Sequence, residues 1–218
     1  RSYERARAAI ESGHFAKEIV PVEVPGRKGV TVVDQDEEPF SVDLSRMGSL
    51  GPAFEPDGTV TAANASTIND GAGLAVVLSE EAARQQGVRP IARILAQASF
   101  AQDPAWFTTA PIECIKKVLA KAGLAASDID IYEINEAFAV VTLAAIRELG
   151  LDPERVNPHG GAVALGHPIG ASGARIVATL LNGLQASGGR YGLATLCIGG
   201  GEASAIVVEM IRDQAFAG

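Results

Sequence analysis

From residue 91 onward, short continuous apolar runs alternate with capped, helix-patterned stretches, and this alternation restricts the fold more than any other property of the chain. Strand-like runs are read at 91–98, 129–134, 191–196 and 203–210, and helices at 111–122, 136–149 and 172–186. In the first of these helices Ile112, Ile115, Val118, Leu119 and Ala122 form one apolar stripe, Pro111 suits the opening turn and Gly123 the stop. Strands separated by helices in this order predict an α/β chain whose sheet is layered between helices. Ahead of them, 74–78 reads as a strand buried on both faces, followed by a helix over 80–86 with Ser79 as cap and Gly87 as stop. Residues 71–78 (G-A-G-L-A-V-V-L) also echo 201–208 (G-E-A-S-A-I-V-V). The first seventy residues are less regular. A helix over 2–12, ended by Gly13, leads to strands at 19–24 and 30–33 and then to a turn-rich stretch over 34–64.

The 218 residues suffice for one good-sized domain, or one with part of another. A net charge of −8 excludes a nucleic-acid-binding face, which would need to be basic. Cys114 and Cys197 are far apart and form no C-x-x-C, so neither a zinc site nor a disulfide framework is expected, which fits a reducing compartment. The strongest apolar run, 137–146, is too short to span a bilayer, and no signal peptide is visible. The chain opens at Arg1 inside a helix pattern, and on that ground it is expected to be a fragment or a processed chain.

Chemistry concentrates in three places. Residues 157–173 read N-P-H-G-G-A-V-A-L-G-H-P-I-G-A-S-G, with five glycines, two prolines and two histidines in one loop. That density suits a backbone wrapped round a ligand with an imidazole, His167, presented from a tight turn. Asn135-Glu136-Ala137-Phe138 follows the strand at 129–134, and Cys197-Ile198-Gly199-Gly200-Gly201 follows the strand at 191–196. Open α/β sheets place their sites at such strand ends. Alone, each residue has an ordinary structural reading: Cys197 as a small buried hydrophobe, His167 as a hydrogen-bonding cap, Glu136 as a structural acid or else a general base.

Taken together, the N-E-A-F, G-G-A-x-A-L-G-H-P-x-G-x-S-G and C-x-G-G-G blocks, in this order and spacing, resemble the carboxy-terminal part of the thiolases. The resemblance implies a layered α-β-α-β-α fold. Residues 1–69 would be the end of a loop domain over a CoA groove, 70–90 the last strand and helix of the N-terminal domain, and 91–218 the C-terminal domain. It also implies site roles. Cys197 becomes an acid/base acting on the methyl carbon of acetyl-CoA, and His167 the activator of a nucleophilic cysteine. Asn135 holds a water in an oxyanion hole, and the Gly199 N–H serves a second one. A thiol suits Cys197's task if site dipoles lower its pKa toward working pH. Ser66, in the N-A-S-x-x-N-D-G segment over 64–71, would bond the pantetheine arm, and Phe107, in F-T-T-A-P, would line a short acyl pocket together with Phe138. His159 falls at a variable position of the pattern and is read as structural.

The implied activity is acetyl-CoA acetyltransfer, a reversible Claisen condensation of two acetyl-CoA to acetoacetyl-CoA and CoA. No metal or cofactor beyond the CoA thioester is expected. A homo-oligomer, a tetramer or a dimer, is expected in the cytoplasm or an organelle matrix. Two departures stand out: neither cysteine matches the family's nucleophile, so an N-terminal half is expected to be missing, and no basic residue follows Asp36-Glu37, leaving Arg27, Lys28 and Arg46 as contacts for the CoA nucleotide. The alternatives are a 3-ketoacyl-CoA thiolase for longer chains and a non-catalytic CoA-thioester-binding module.

Overall fold

The structure, a computed structural model, describes residues 1–211, so the last seven positions of the 91–218 segment lie outside the described residues. Helix α1 (Ser2–Glu11) ends before Gly13, whose φ of 73° is the left-handed conformation expected of a helix stop. A 3-10 turn, His14–Lys17, leads into the antiparallel hairpin β1 (Val22–Gly26) and β2 (Gly29–Val33). Strand β1 starts later than the sequence pattern suggests, because the Ile19 N–H still bonds back to the Phe15 carbonyl and prolongs the turn. The turn-rich stretch that follows contains only the short α2 (Glu38–Ser41) and a 3-10 segment, Leu44–Ser49.

Residues 74–78 are not a strand, contrary to their apolar pattern. Leu74, Val76 and Val77 are 84%, 77% and 70% exposed. A strand needs a neighbour to take up its N–H and C=O groups, and no described strand runs beside this segment. The echo between 71–78 and 201–208 therefore has no counterpart in paired secondary structure. The next helix, α3 (Glu80–Gln85), forms as expected, with the Ser79 hydroxyl accepting from the Ala82 N–H at 3.1 Å.

The body of the molecule is one four-stranded sheet built from β3 (Ala92–Ala101), β4 (Ile131–Ile134), β5 (Tyr191–Ile198) and β6 (Glu202–Met210), in the order β3-β6-β5-β4. Strands β5 and β6 are antiparallel because only residues 199–201 join them, whereas β4 and β5 are parallel because a long helical crossover separates them. That crossover comprises α5 (Ala139–Leu149), α6 (Ala162–Leu165) and α7 (Ser172–Ser187), and α4 (Ala110–Ala122) lies between β3 and β4. Helices α4 and α5 cover one face, burying Ile115, Val118, Ile134, Val141, Leu193 and Val207. Helix α7 covers part of the other with Ile176, Leu180 and Leu184, each worth about 1.5–3 kcal/mol of apolar burial.

Helix α5 begins three residues later than its sequence pattern suggests. Phe138 is extended (φ −138°, ψ 151°) and bridges Ala65, while the Ser66 N–H bonds to the Ala137 carbonyl at 3.1 Å. Pairing with residues 65–66 has displaced the first helical turn, and that exchange brings the segment with Ser66 to the end of β4.

Candidate active site

Asn135 and Cys197 stand at the same end of two adjacent parallel strands. Ile134 pairs with Thr195, and the Asn135 N–H extends the ladder by donating to the Thr195 carbonyl at 2.9 Å. Cys197 follows two residues along β5, so the register itself brings carboxamide and thiol to one sheet end. Both are nearly inaccessible, at 1% and 6% exposure.

His167 reaches this end from the glycine-rich loop. Its N–H is shared between the Thr67 carbonyl (3.0 Å) and Asn69 Oδ1 (3.2 Å), and the Thr67 hydroxyl donates to that same oxygen at 2.8 Å. Gly166, just before it, has φ 88° and ψ 165°, a conformation essentially restricted to glycine, and a Cβ there would collide with the Asn69 carboxamide. The loop glycine is thus required by the backbone and by its neighbour alike.

The imidazole is fixed at both nitrogens. Nδ1 lies 2.6 Å from the Ser172 Oγ and Nε2 lies 3.4 Å from Asn135 Nδ2. The Ser172 hydroxyl has one hydrogen, donated to the Pro168 carbonyl at 2.9 Å, so towards His167 it accepts. Nδ1 therefore carries the ring proton, and Nε2 presents a lone pair toward Asn135. Burial, and secondarily the charge of Arg175, lowers the His167 pKa, which keeps the ring neutral and ready to take a proton. Asn135 Oδ1 is buried with no hydrogen-bond partner among the described residues.

Burial pushes the Cys197 thiol up to about 11, outweighing a backbone hydrogen bond that acts the other way. The net direction is upward, which favours the protonated thiol. In the turn after it the three glycines differ. Gly201 has φ 96° and no room for a Cβ against the Gln102 carbonyl, and Gly200 packs on the Glu202 carboxylate, but a Cβ at Gly199 would meet nothing within 4 Å. Gly199 is the one with no packing reason to be glycine, and the space beside it is open.

Phe107 and Phe138 are half-buried and meet edge to face, their ring centroids 6.3 Å apart, in the cluster that contains Cys197. Phe54, which no motif singled out, adds a third ring 6.4 Å from Phe138. The Ser66 hydroxyl donates to the Ala137 carbonyl at 2.9 Å and keeps its lone pairs. Three other contributors were also missed: Asn69, Ser172 and Arg175. The first two lie inside quoted motifs, Asn69 in the segment over 64–71 and Ser172 at the start of the helix at 172–186, and neither was singled out there.

Several nearby residues stay outside the site. Glu136 accepts from Ser2 Oγ (2.7 Å), Asn157 Nδ2 (3.2 Å) and the Val163 N–H (3.3 Å), so it is a structural acid, tying α1 to α6. His159 stacks on His14 with centroids 3.5 Å apart, and burial lowers it to about 4. Cys114 is wholly buried, its thiol facing the Ala98 and Ala203 carbonyls, and burial raises it to about 11. Arg27, Lys28 and Arg46 are exposed. Among the described residues no helix is long and apolar enough to cross a membrane.

A layered α/β sheet thus carries an imidazole, a carboxamide and a thiol at one end, with glycines beside His167 and Cys197. Residues 88–210 match the thiolase C-terminal domain and residues 1–81 the thiolase N-terminal domain; the chain belongs to the thiolase family. It is 51% identical over 217 residues to acetyl-CoA acetyltransferase 1 of Arabidopsis thaliana, covering 98% of this chain and 52% of that one. The crystal structure of the Bacillus anthracis acetyl-CoA acetyltransferase superposes with a TM-score of 0.93 at 43% identity, covering 97% of this chain and 54% of that one. Human mitochondrial 3-ketoacyl-CoA thiolase gives 0.88 at 38% identity, covering 96% and 53%. The fold is therefore the thiolase fold expected from the sequence. The chain spans about half the length of the curated relatives it matches. Residues 1–81 match the N-terminal domain, and these matches lend no support to an absent N-terminal half.

Proposed function

We propose that these residues handle the protons in a thiolase active site catalysing the reversible condensation of two acetyl-CoA to acetoacetyl-CoA and CoA. The observation that carries the reading is the His167 imidazole, pinned at Nδ1 by Ser172, with its Nε2 lone pair 3.4 Å from Asn135 Nδ2 at the strand end that also bears Cys197. Nε2 takes the proton of a nucleophilic thiol, which accepts the first acetyl group. Cys114 is sealed in the core, so that thiol is assigned outside these residues. The departing CoA thiolate needs a proton, and Cys197, protonated at rest, gives one and becomes a thiolate. It then removes a proton from the methyl group of the second acetyl-CoA. Asn135 and the imidazolium formed at His167 stabilise the enolate oxygen, Asn135 through a water. The enolate carbon attacks the acyl thioester, whose oxygen faces the Gly199 N–H, and the released thiolate recovers its proton from His167.

The Phe107–Phe138 pair supports a short acyl group over the longer chains of a 3-ketoacyl-CoA thiolase. The convergent acid/base set argues against a non-catalytic CoA-thioester-binding module. Division into 1–69, 70–90 and 91–218, with Ser66 toward the pantetheine arm and Arg27, Lys28 and Arg46 toward the CoA nucleotide, belongs to the same proposal, as does a need for no resident cofactor. Two free cysteines support a reducing compartment, the cytoplasm. Exposed valines on the β1–β2 hairpin support association into a homo-oligomer.

The test is thiolysis of acetoacetyl-CoA by the 218-residue chain, alone and fused to a segment supplying the rest of the relatives' length. Activity is expected in the fusion only, and its Cys197→Ala variant should still become acetylated while losing deuterium exchange into the acetyl methyl group. Turnover by the chain alone would refute the assignment of the nucleophile. Exchange at the unsubstituted rate in the variant would remove Cys197 from the reaction.

A further inference from the structure

Helix α7 carries, besides its apolar face, a polar stripe made by Ser172, Arg175, Thr179 and Asn182, spaced three and four residues apart and so aligned along one side. Each of the other three is spoken for: Ser172 by His167, Thr179 by Glu18 Oε1 (3.4 Å) and Asn182 by the His14 carbonyl (2.8 Å). Arg175 is not. Its Nε and Nη1 are buried with no hydrogen-bond partner among the described residues, and so are one oxygen of Glu18 and one of Glu133. A guanidinium held in this way is a poor choice for packing or for stability, since an apolar side chain of similar volume would avoid its desolvation. Its position explains it better: it lies one turn along α7 from the serine that grips the imidazole.

We propose that Arg175 is a positioning residue for His167, setting the protonation of the imidazole through its charge from the next turn of α7, beside a buried carboxyl cluster of Glu18, Asp36 and Glu133. The proposal rests on the reading of His167 as the base of the proposed reaction. The ionisable groups around this stripe are themselves shifted by burial. Burial raises Glu18 to about 7, Glu133 to about 8 and Asp36 upward, with Glu136 and Glu18 adding to the rise at Glu133. Burial lowers the stacked His14 and His159, which favours the neutral form of both rings. Burial disfavours the charged form of each of these carboxyls, so they offset the guanidinium less than free carboxylates would. Arg175 is then the charge that disfavours an imidazolium, and it stands among the causes of the lowered His167 pKa.

The chain has three histidines, so their imidazole signals can be followed individually by 15N–1H NMR as a function of pH, on the 218-residue protein itself. Arg175→Met should raise the His167 midpoint by about one unit, the lower end of what one nearby charge moves. Arg175→Lys, which restores the charge, should return it most of the way. Arg175→Gln, which keeps donors toward the carboxyls, should give the same rise if Met is not tolerated. An unchanged midpoint in a folded Met or Gln variant, or a Lys variant that behaves like Met, would overturn the proposal. The readout needs no catalysis: absence of thiolase activity with the shifts present would refute the reaction and leave the role of Arg175 intact.

Discussion

Replacing Ser172 by Ala isolates the contact on which the chemistry of His167 depends. The serine is fully buried, and its Oγ is the acceptor for the Nδ1–H at 2.6 Å. The substitution orphans little else, because the Pro168 carbonyl keeps the Ala171 and Ser172 N–H groups, both at 2.7 Å. A buried donor left without an acceptor costs about 1–3 kcal/mol. That penalty falls on the Nδ1–H tautomer alone, so the balance between tautomers should move by roughly 5- to 150-fold toward Nε2–H. In that form Nε2 no longer has a lone pair facing Asn135 and cannot accept a proton. Alanine's better helix propensity offsets part of the stability loss, leaving a net cost of about 1 kcal/mol. The assay is the pair of 15N imidazole shifts, which separate the tautomers, read together with thiolysis in the complete enzyme, where a fall of about tenfold or more is expected. If His167 in a folded Ser172→Ala protein still carries its proton on Nδ1, the serine does not hold the tautomer and the reasoning fails.

Three further outcomes follow from the geometry. Phe107→Ala should raise the rate for a six-carbon 3-ketoacyl-CoA over the four-carbon one by about tenfold, at roughly 0.8 kcal/mol for each accommodated methylene; an unchanged ratio of specificity constants would place Phe107 outside the acyl pocket. Gly166→Ala, forced into φ 88° against Asn69, should cost about 3 kcal/mol and lower the melting temperature by about 6–12 °C; a shift of about 1 °C or less would show that the loop relaxes. Glu133 binds its proton more tightly folded than unfolded, raised from 4.5 to about 8 by burial, so between those values the native state holds more protons and stability falls as pH rises. Denaturant titrations across that window should show the decline, and Glu133→Gln should flatten it; an equally steep decline in the variant would assign it elsewhere.

Much of the fold and the heart of the site were legible in the residues. Strands over 91–98, 191–196 and 203–210 and the helices at 111–122 and 172–186 were readable because apolar period, caps and glycine stops are local properties. Asn135, His167 and Cys197 stood out for a similar reason, each marked by glycine or by a strand end next to it in the chain. Tertiary structure decided whatever depends on what lies opposite. Residues 74–78 have the composition of a buried strand but no described strand to pair with, and residues 136–138 left their helix because residues 65–66 offered a ladder instead. The same holds within the site. That Gly201 and Gly166 are required by the backbone while Gly199 borders open space cannot be told from three identical letters, only from the atoms a Cβ would meet. The tautomer of His167 and the setting of Arg175 likewise depend on partners distant in sequence or hidden by burial, and burial, which raises the Cys197 pKa, is a property of the packed molecule and not of any stretch of its chain.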